Sequence, residues 1–355
     1  MEETYYLSGT ASSSMAVSEQ FKDFVSALNK RGLKLNTSFP SKYLICINHN
    51  SKIYTEFIRS GGKPENAAII FLEPYAVYPA QYSQKNLQKY AILHAPGNPS
   101  FKDCYGRFIP WPYQAMANPC KPYNESDPIN RRIKENDQLG LFDYDEWVKR
   151  ENFLTLINTN KVSAVKNENY RIRRAYAHIL PSNLLKLYGD LWVSPICRQV
   201  NHRLQVLLFN LKSGFLPNLF SIYGNLHWRY ESAKGPLVDK QISLQSFKFS
   251  IVIENDSSYI SEKMIDVMIN GCIPIYYGPK DIDSIIPRGT YLELPSSPLE
   301  IVPMLQKLSS SEVQDLLISI KQFVTSQEFT QKWNSTNVFS QLANSIVNQL
   351  GKKYG

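Results

Sequence analysis

A run of polar and charged residues from Glu254 to Lys263 has the composition of a site that binds phosphate. It lies between an apolar stretch that predicts a strand and another that predicts a helix. At the start of a helix the backbone N–H groups are unpaired, and the helix dipole favours an anion. Lys263 would add a positive charge there, and Glu262 could accept hydrogen bonds from sugar hydroxyls. Ordinary capping by Ser261, with both charged side chains in solvent, is the alternative explanation.

A second basic cluster follows a predicted strand earlier in the chain. Asn158-Thr-Asn-Lys161 comes directly after the apolar run Phe153–Ile157, and Arg173 and Arg174 lie in the helix that follows. Because the carboxyl ends of parallel strands meet at one edge of a sheet, this cluster would open onto the same edge as Lys263. An arginine fork there could hold a pyrophosphate through paired hydrogen bonds. A solvated basic helix face explains the same residues.

A single carboxylate, Glu73, stands out in the first half of the chain. It follows the apolar run Ile69 to Leu72, which predicts a buried strand. A carboxylate close to a hydroxyl group can remove its proton and turn the oxygen into a nucleophile. A glutamate at a strand's carboxyl end, facing a second domain, would suit this role of general base. An acid in an ordinary loop is the alternative.

The elements that must position these residues follow from the apolar pattern. The clearest unit has a strand at Phe247 to Ile253, a helix at Glu262 to Asn270 and a returning strand at Ile273 to Tyr277, with Gly271 ending the helix. Such βαβ crossovers are almost always right-handed, with parallel strands. Strands alternating with helices in both halves of the chain predict an α/β fold.

The pattern also predicts two domains. Regular periodicity fades from about residue 95 to residue 147, where prolines are frequent, so the sequence favours a boundary near the end of this stretch. We therefore predict a first domain over residues 1–150 and a second over residues 151–355. Ser309-x-x-Glu312 matches a capping box that opens a helix through Val324, and a last helix is expected from about Val338 to Leu350.

The composition narrows the range of partners. The 355 residues carry a formal net charge of +8 and 12% aromatic side chains. There is no arginine-rich block, zinc-finger spacing or RNA-binding aromatic signature, so nucleic acid is not the expected partner. A diffuse positive field suits a pyrophosphate or acidic lipid headgroups.

The cysteine pattern and the first residues of the chain predict the cellular compartment. Five scattered cysteines without a Cys-x-x-Cys pair do not predict a disulfide framework or a structural zinc. The acidic start of the chain is unlike a secretory leader, and no apolar run reaches membrane-spanning length. We expect a cytoplasmic protein, with peripheral contact at the inner membrane face left open.

Two Asp-x-Asp pairs raise the alternative of a metal-dependent enzyme. Asp143-Tyr-Asp145 and Asp281-Ile-Asp283 are of the kind that holds a divalent ion in many sugar transferases. Neither pair is followed by further clustered ligands. We therefore expect no required metal, although a divalent ion that is not essential stays compatible with the sequence.

The residues around the predicted helix Glu262 to Asn270 resemble a known family. Phe247 to Asn255, then Tyr259-Ile-Ser-Glu-Lys263, then Gly271 to Gly278 closely resemble the donor-binding motif of the α-1,3/4-fucosyltransferases. The stretch from Asn158 through Arg173 to Gly189 is similar to the strands and helix that precede this motif in the family. The first half, from Glu73 onward, is similar but divergent.

This resemblance implies the GT-B architecture, in which two Rossmann-like domains face each other across a cleft and a C-terminal helix packs back. It implies that Arg173 and Lys263 contact the pyrophosphate of GDP-fucose and that Glu254 shapes the pocket. Residues expected at the ribose and fucose are Asn255, Tyr259 and Glu262. Glu73 would be the general base, and its surroundings depart from the family pattern.

The implied function is transfer of fucose from GDP-fucose to a glycan or glycolipid hydroxyl, with inversion at the anomeric carbon. The family's eukaryotic members have a membrane anchor that this sequence does not show, so a bacterial or viral member is expected. Two alternatives remain open. The chain could be a GT-B transferase that uses another nucleotide sugar, or a catalytically silent protein that binds a sugar or nucleotide.

Overall fold

The described residues of the chain form two six-stranded parallel sheets. The computed structural model describes residues 3–8, 21–96, 108–111, 128–224, 229–258 and 260–351. The chain divides into two units: the first contains residues 1–128, 258–260 and 331–355, and the second contains residues 129–257 and 261–330. The α/β class predicted from the sequence is confirmed.

The strands of the first sheet are β1 (Thr4–Ser8), β2 (Lys34–Asn36), β3 (Tyr43–Ile47), β4 (Ala67–Ile70), β5 (Ile92–Pro96) and β6 (Phe108–Trp111). Those of the second sheet are β7 (Asn152–Ile157), β8 (Leu185–Tyr188), β9 (Ala233–Gly235), β10 (Phe247–Ile253), β11 (Ile273–Tyr277) and β12 (Leu292–Glu293).

The helices up to the middle of the second unit are α1 (Lys22–Asn29), α2 (Ser51–Arg59), α3 (Gln84–Leu87), α4 (Pro128–Gln138), α5 (Tyr144–Val148), α6 (Tyr170–Ile179), α7 (Ile196–Lys212) and α8 (Leu219–Tyr223). The later helices are α9 (Lys240–Gln245), α10 (Lys263–Met268), α11 (Ile301–Gln306), α12 (Ser310–Val324), α13 (Gln327–Trp333) and α14 (Ser335–Gly351).

The first sheet has the order β2-β1-β3-β4-β5-β6 and buries both of its faces. Successive side chains of a strand point to opposite faces. In β3, Ile45 and Ile47 therefore join a core that includes α1 and α14, while Leu44 and Cys46 join a core that includes α2. Burial on both faces explains why β3 is a continuous apolar run.

The C-terminal helix α14 packs on α1 of the first unit. Its apolar residues recur at intervals of three and four, which places them on one helical face. The Phe339 ring lies 5.6 Å from that of Phe24 and 6.2 Å from that of Phe21, centroid to centroid. Leu342 and Ile346 complete the same buried face. The predicted C-terminal helix that packs back is thus present.

The second sheet has the order β12-β11-β10-β7-β8-β9. From β7 the chain moves outward through β8 and β9, then returns to β10 on the other side of β7 and continues through β11 to β12. The direction of the strand order therefore reverses between β7 and β10. In open parallel sheets, ligands bind beyond the carboxyl ends of the strands at such a point.

The division of the chain differs from the predicted one. It falls between residues 128 and 129 instead of at 150, and residues 331–355 belong to the first unit. The reason is α4, which lies in the stretch where the sequence shows no regular periodicity and so predicts no helix. Ile129 and Ile133 of this polar helix are buried, and the buried Asn136 amide donates to the Ile269 carbonyl oxygen at 2.6 Å. These contacts join α4 to the second unit.

The described helices include none that could cross a membrane: none is both long enough and apolar enough.

Candidate functional site

A buried carboxylate fixes the lysine at the carboxyl end of β10. Glu254 is fully buried, and its two oxygens accept hydrogen bonds from the Ser261 backbone N–H at 2.8 Å and the Ser261 hydroxyl at 2.7 Å. The Lys263 ammonium lies 3.2 Å from the same carboxylate and 2.6 Å from the Ser261 oxygen. Because the pair is largely buried and the ammonium donates to both Glu254 and Ser261, the ammonium is held in one place.

Arg173 lies beside this strand end from the α6 side. Its guanidinium donates to the Ile253 carbonyl oxygen at 3.2 Å through Nε and to the Asn255 side-chain oxygen at 2.8 Å. Burial lowers the pKa of Arg173, while Tyr170 and Glu254 act in the opposite direction. The carbonyl and the amide are neutral acceptors, so these contacts do not cancel the guanidinium charge. The structure thus brings Arg173 and Asn255 together.

Glu262 lies among cations at the start of α10. Burial opposes ionisation of its carboxyl, but the positive charges of Lys263 and Lys240 outweigh burial and hold its pKa below the ordinary value. Lys240 also forms an ion pair with Asp266. Glu262 is therefore an ionised acceptor at this edge, which is suited to binding hydroxyl groups.

The start of α10 differs from the predicted one. The helix begins at Lys263 and has six residues, and Glu262, not Ser261, is its cap residue. The Ser261 hydroxyl bonds to Glu254 and Lys263 instead, because the buried carboxylate competes for it. A helix this short has a weak dipole. The positive charge at this edge therefore comes mainly from side chains.

An open pocket of about 430 Å³ lies next to the start of α6. It is lined by residues 166–169, Arg171, Ile172, Ala175, Ser257 and Tyr277. Glu168 accepts hydrogen bonds from the Arg171 backbone and side chain, at 3.1 and 2.8 Å. The Asn169 side-chain nitrogen is buried and has no hydrogen-bond partner within the part of the chain that the structure describes. Buried donors without a partner are rare in native proteins, so this amide and the pocket beside it form a candidate binding site.

The end of β7 carries two further unpaired polar atoms. Asn158 and Asn160 are buried, and neither side-chain oxygen has a hydrogen-bond partner among the described residues. Asn158 lines a cavity of about 10 Å³ together with Lys240 and Lys263. The loop after β7 therefore reaches the same strand edge as the lysine cluster, as the parallel arrangement predicts.

Glu73 belongs to the first unit, where it follows β4. Asn48, at the end of β3, has a positive φ of 57° and accepts hydrogen bonds from the Leu72 and Glu73 backbone N–H groups at 2.8 and 3.0 Å. The Glu73 carbonyl oxygen accepts from the side chains of Gln81 and Tyr82, both at 2.8 Å. The backbone N–H and C=O groups of Glu73 are thus both fixed by hydrogen bonds, and the residue itself is half-buried.

The structure describes all but one of the predicted site residues. Tyr259 lies outside the described residues. The predicted roles of Glu73, Arg173, Glu254, Asn255, Glu262 and Lys263 stay predictions, although the structure groups the last five at one edge of the second sheet. Sequence reasoning missed Lys240 and Asn169. Lys240 follows the helix cap Asp239, an ordinary pattern, so only the fold reveals its place.

The Asp-x-Asp pairs lie on separate elements. Asp143 is the cap residue of α5, and Asp283 pairs with Arg288 at 3.1 Å. Among the described residues, no group of three histidine, cysteine or acidic side chains could hold a metal ion.

Two parallel sheets flanked by helices, with the site at the strand-order reversal of the second sheet, define a GT-B fold. The structure is similar to that of an α1,3-fucosyltransferase with GDP (TM-score 0.58, 12% identity, covering 99% of this chain and 91% of that one). It is also similar to Anabaena HepE in complex with UDP and glucose (TM-score 0.50, 9% identity, covering 97% and 99%).

The sequence comparisons are more limited. No protein-family model matches the chain. Over 95 residues, 26% of this chain, it is 32% identical to a protein of Arabidopsis thaliana described as fucosyltransferase-like, and the match spans 17% of that protein's length.

Proposed function

We propose that this chain is an inverting glycosyltransferase that transfers fucose from GDP-fucose to a hydroxyl group of a glycan or glycolipid. The observation that carries the proposal is the cationic edge at the end of β10. There, Lys263 is fixed by Glu254 and Ser261, and Arg173 is fixed by Ile253 and Asn255. The GT-B fold supports a glycosyltransferase, and the partial similarity to a fucosyltransferase-like protein supports the choice of donor.

In the proposed reaction the nucleotide diphosphate leaves as the acceptor oxygen attacks. Lys263 and Arg173 stabilise the negative charge that develops on the leaving pyrophosphate, so no metal ion is required. Glu262 accepts hydrogen bonds from hydroxyl groups of the donor. Glu73 takes the proton of the acceptor hydroxyl as its oxygen bonds to the anomeric carbon and the bond to the GDP oxygen breaks, which is a single displacement without a covalent intermediate.

A second candidate is a GT-B transferase that uses another nucleotide sugar. Its support is the similarity in fold to HepE, whose crystal structure contains UDP and glucose. The pyrophosphate contacts would be the same in both cases, because they involve no base. The two candidates therefore differ in which nucleobase, guanine or uracil, the protein recognises.

Thermal unfolding in the presence of GDP, UDP or ADP tests the proposal. A ligand that binds only the folded protein at about 100 times its Kd stabilises it by about 2.7 kcal/mol. We expect GDP to raise the unfolding midpoint and UDP and ADP to have little effect. Lys263→Met should remove the GDP effect because it deletes the fixed ammonium.

The matched control is Lys307→Met, which removes an exposed positive charge after α11 in the same unit. It should leave the GDP effect intact. Selective stabilisation by UDP would reject fucose as the donor sugar and favour the second candidate. A lack of stabilisation by all three nucleotides would contradict both candidates.

A further inference from the structure

Helix α7 has an inverted distribution of side chains. Its fully buried residues are polar: Gln199, Arg203 and Asn210. Gln199 donates to the Ser194 carbonyl oxygen at 2.9 Å, and Arg203 donates to the Ile222 carbonyl oxygen. Asn210 donates to the Val206 carbonyl oxygen at 2.8 Å, so each of the three buried polar side chains makes at least one hydrogen bond. On the inner side of the helix, Val206 and Leu207 pack against the core that contains Ile222.

The apolar residues of α7 form a stripe on the protein surface. Ile196, Val200, Leu204, Leu208 and Leu211 recur at intervals of three and four, so they share one side of the helix. Each is between 42% and 55% exposed. Helix α8 packs beside α7 and exposes Leu219 and Phe220. Contiguous apolar surface of this kind marks an interaction site.

The segment that carries the stripe contains only basic charged residues. Residues 191–230 contain no Asp or Glu, and their exposed charged residues include Arg198, Lys212 and Arg229. Arg198 pairs with Asp190, just outside this segment, at 2.9 Å. Burial, and then the charges of Lys161 and Arg203, lower the pKa of His202, so this histidine adds no charge near neutral pH. The α7 face is thus apolar, and the same helix carries the exposed Lys212 and the Arg198 that pairs with Asp190.

We propose that the α7 stripe docks on the surface of an anionic lipid bilayer. The helix would lie in the plane of the interface, with Leu204 and Leu208 between the headgroups and Lys212 near the lipid phosphates. Two copies of the chain meeting through this face would bring like charges together, so self-association is disfavoured. The inference does not depend on the proposed function.

Vesicle flotation tests this surface directly. The full chain is mixed with vesicles of phosphatidylcholine alone or with vesicles that also contain phosphatidylglycerol. We expect binding to the anionic vesicles only, and weaker binding at high salt because the cations are then screened. The double variant Leu204→Gln/Leu208→Gln should bind about tenfold less, since it removes apolar surface from the contact.

The matched control is the double variant Leu299→Gln/Ile318→Gln, which changes exposed apolar residues of the same unit on other elements. It should bind like the unchanged protein. The proposal is overturned if the α7 variant binds as well as the control or if the unchanged protein does not bind anionic vesicles. A dimer at micromolar concentration that the α7 variant loses would assign the face to a second copy instead.

Thermal unfolding separates loss of binding from loss of folding. Because both leucines are about half exposed, the α7 double variant should unfold at nearly the same midpoint as the unchanged protein. A clear fall in the midpoint would mean that these side chains are packed in the native protein, which would also overturn the proposal.

Discussion

At the scale of single residues, the candidate site depends on how Lys263 is held. An ammonium has three N–H donors. In this structure Glu254 and Ser261 accept from it, which leaves one donor for a phosphate oxygen. The sequence motif identified Lys263 and Glu254 as neighbours along the chain, but it could not show that the glutamate is fully buried. Burial matters because it strengthens the ion pair and fixes the ammonium.

Glu73 gives the residue-scale prediction. Glu73→Gln keeps the size of the side chain but removes the base, so turnover of donor and acceptor should fall by about 10²–10⁴-fold. Stabilisation by GDP should not change, because the pyrophosphate residues are untouched. The control Glu56→Gln alters an exposed carboxylate of α2 in the same unit and should keep full turnover. Equal turnover of Glu73→Gln and the control would reject Glu73 as the base.

At the scale of elements, the sequence predicted those strands and helices whose apolar residues face the core. The bounds of β10 and β11 agree with the predicted runs, since strands buried on both faces are continuously apolar. The predicted capping box of α12 is confirmed by mutual hydrogen bonds of Ser309 and Glu312. Helices α4 and α7 were not predicted. The first is mostly polar, and the second has most of its apolar residues on the outside, so neither shows the usual amphipathic pattern.

The junction between α10 and β11 gives the element-scale prediction. Gly271 has a φ of +62°, and a Cβ atom there would lie 2.0 Å from the Leu141 carbonyl oxygen. Gly271→Ala therefore adds a backbone clash to the cost of the left-handed conformation, and it should lower the free energy of unfolding by more than ~2 kcal/mol. Urea unfolding followed by tryptophan fluorescence would measure it.

The control for this change is Gly214→Ala. Gly214 has a similar φ of +77° but no atom within 4 Å of the added Cβ. Its cost should be only that of the conformation, about 1 kcal/mol. Similar losses for the two variants would show that the contact between Gly271 and the Leu141 backbone contributes nothing.

At the scale of the whole molecule, a buried histidine should make the stability of the first unit sensitive to acid. In the first unit His49 is buried and hydrogen-bonded to Tyr90 and Ser51, both at 2.8 Å. Burial, and then the charge of Lys89, lower the pKa of His49 to about 3 from its ordinary value of 6.5. The unfolded chain therefore binds a proton below pH 6.5 that the folded unit does not. Stability is lost as pH falls from 6.5 toward 3, by about 1.4 kcal/mol per pH unit.

Hydrogen exchange of the first sheet would detect this loss. As the pH falls from 6.5 to 5, amides of β3 and β4 should exchange faster in the unchanged protein than in the His49→Asn variant. The ratio of the two exchange rates should rise about tenfold for each pH unit. Because the two proteins are compared at the same pH, the intrinsic pH dependence of amide exchange cancels. Amides of β10 and β11 in the second unit serve as the internal control and should show no such difference. Parallel profiles in the first sheet would contradict the assignment to His49.

The packing of α14 on α1 has a consequence for how the protein is made. Residues 335–351 are synthesised after the whole of the second unit, yet Phe339, Leu342 and Ile346 belong to the core that contains Phe21 and Phe24. On the ribosome, the core around Phe21 and Phe24 therefore stays incomplete until α14 has been synthesised, after the whole of the second unit.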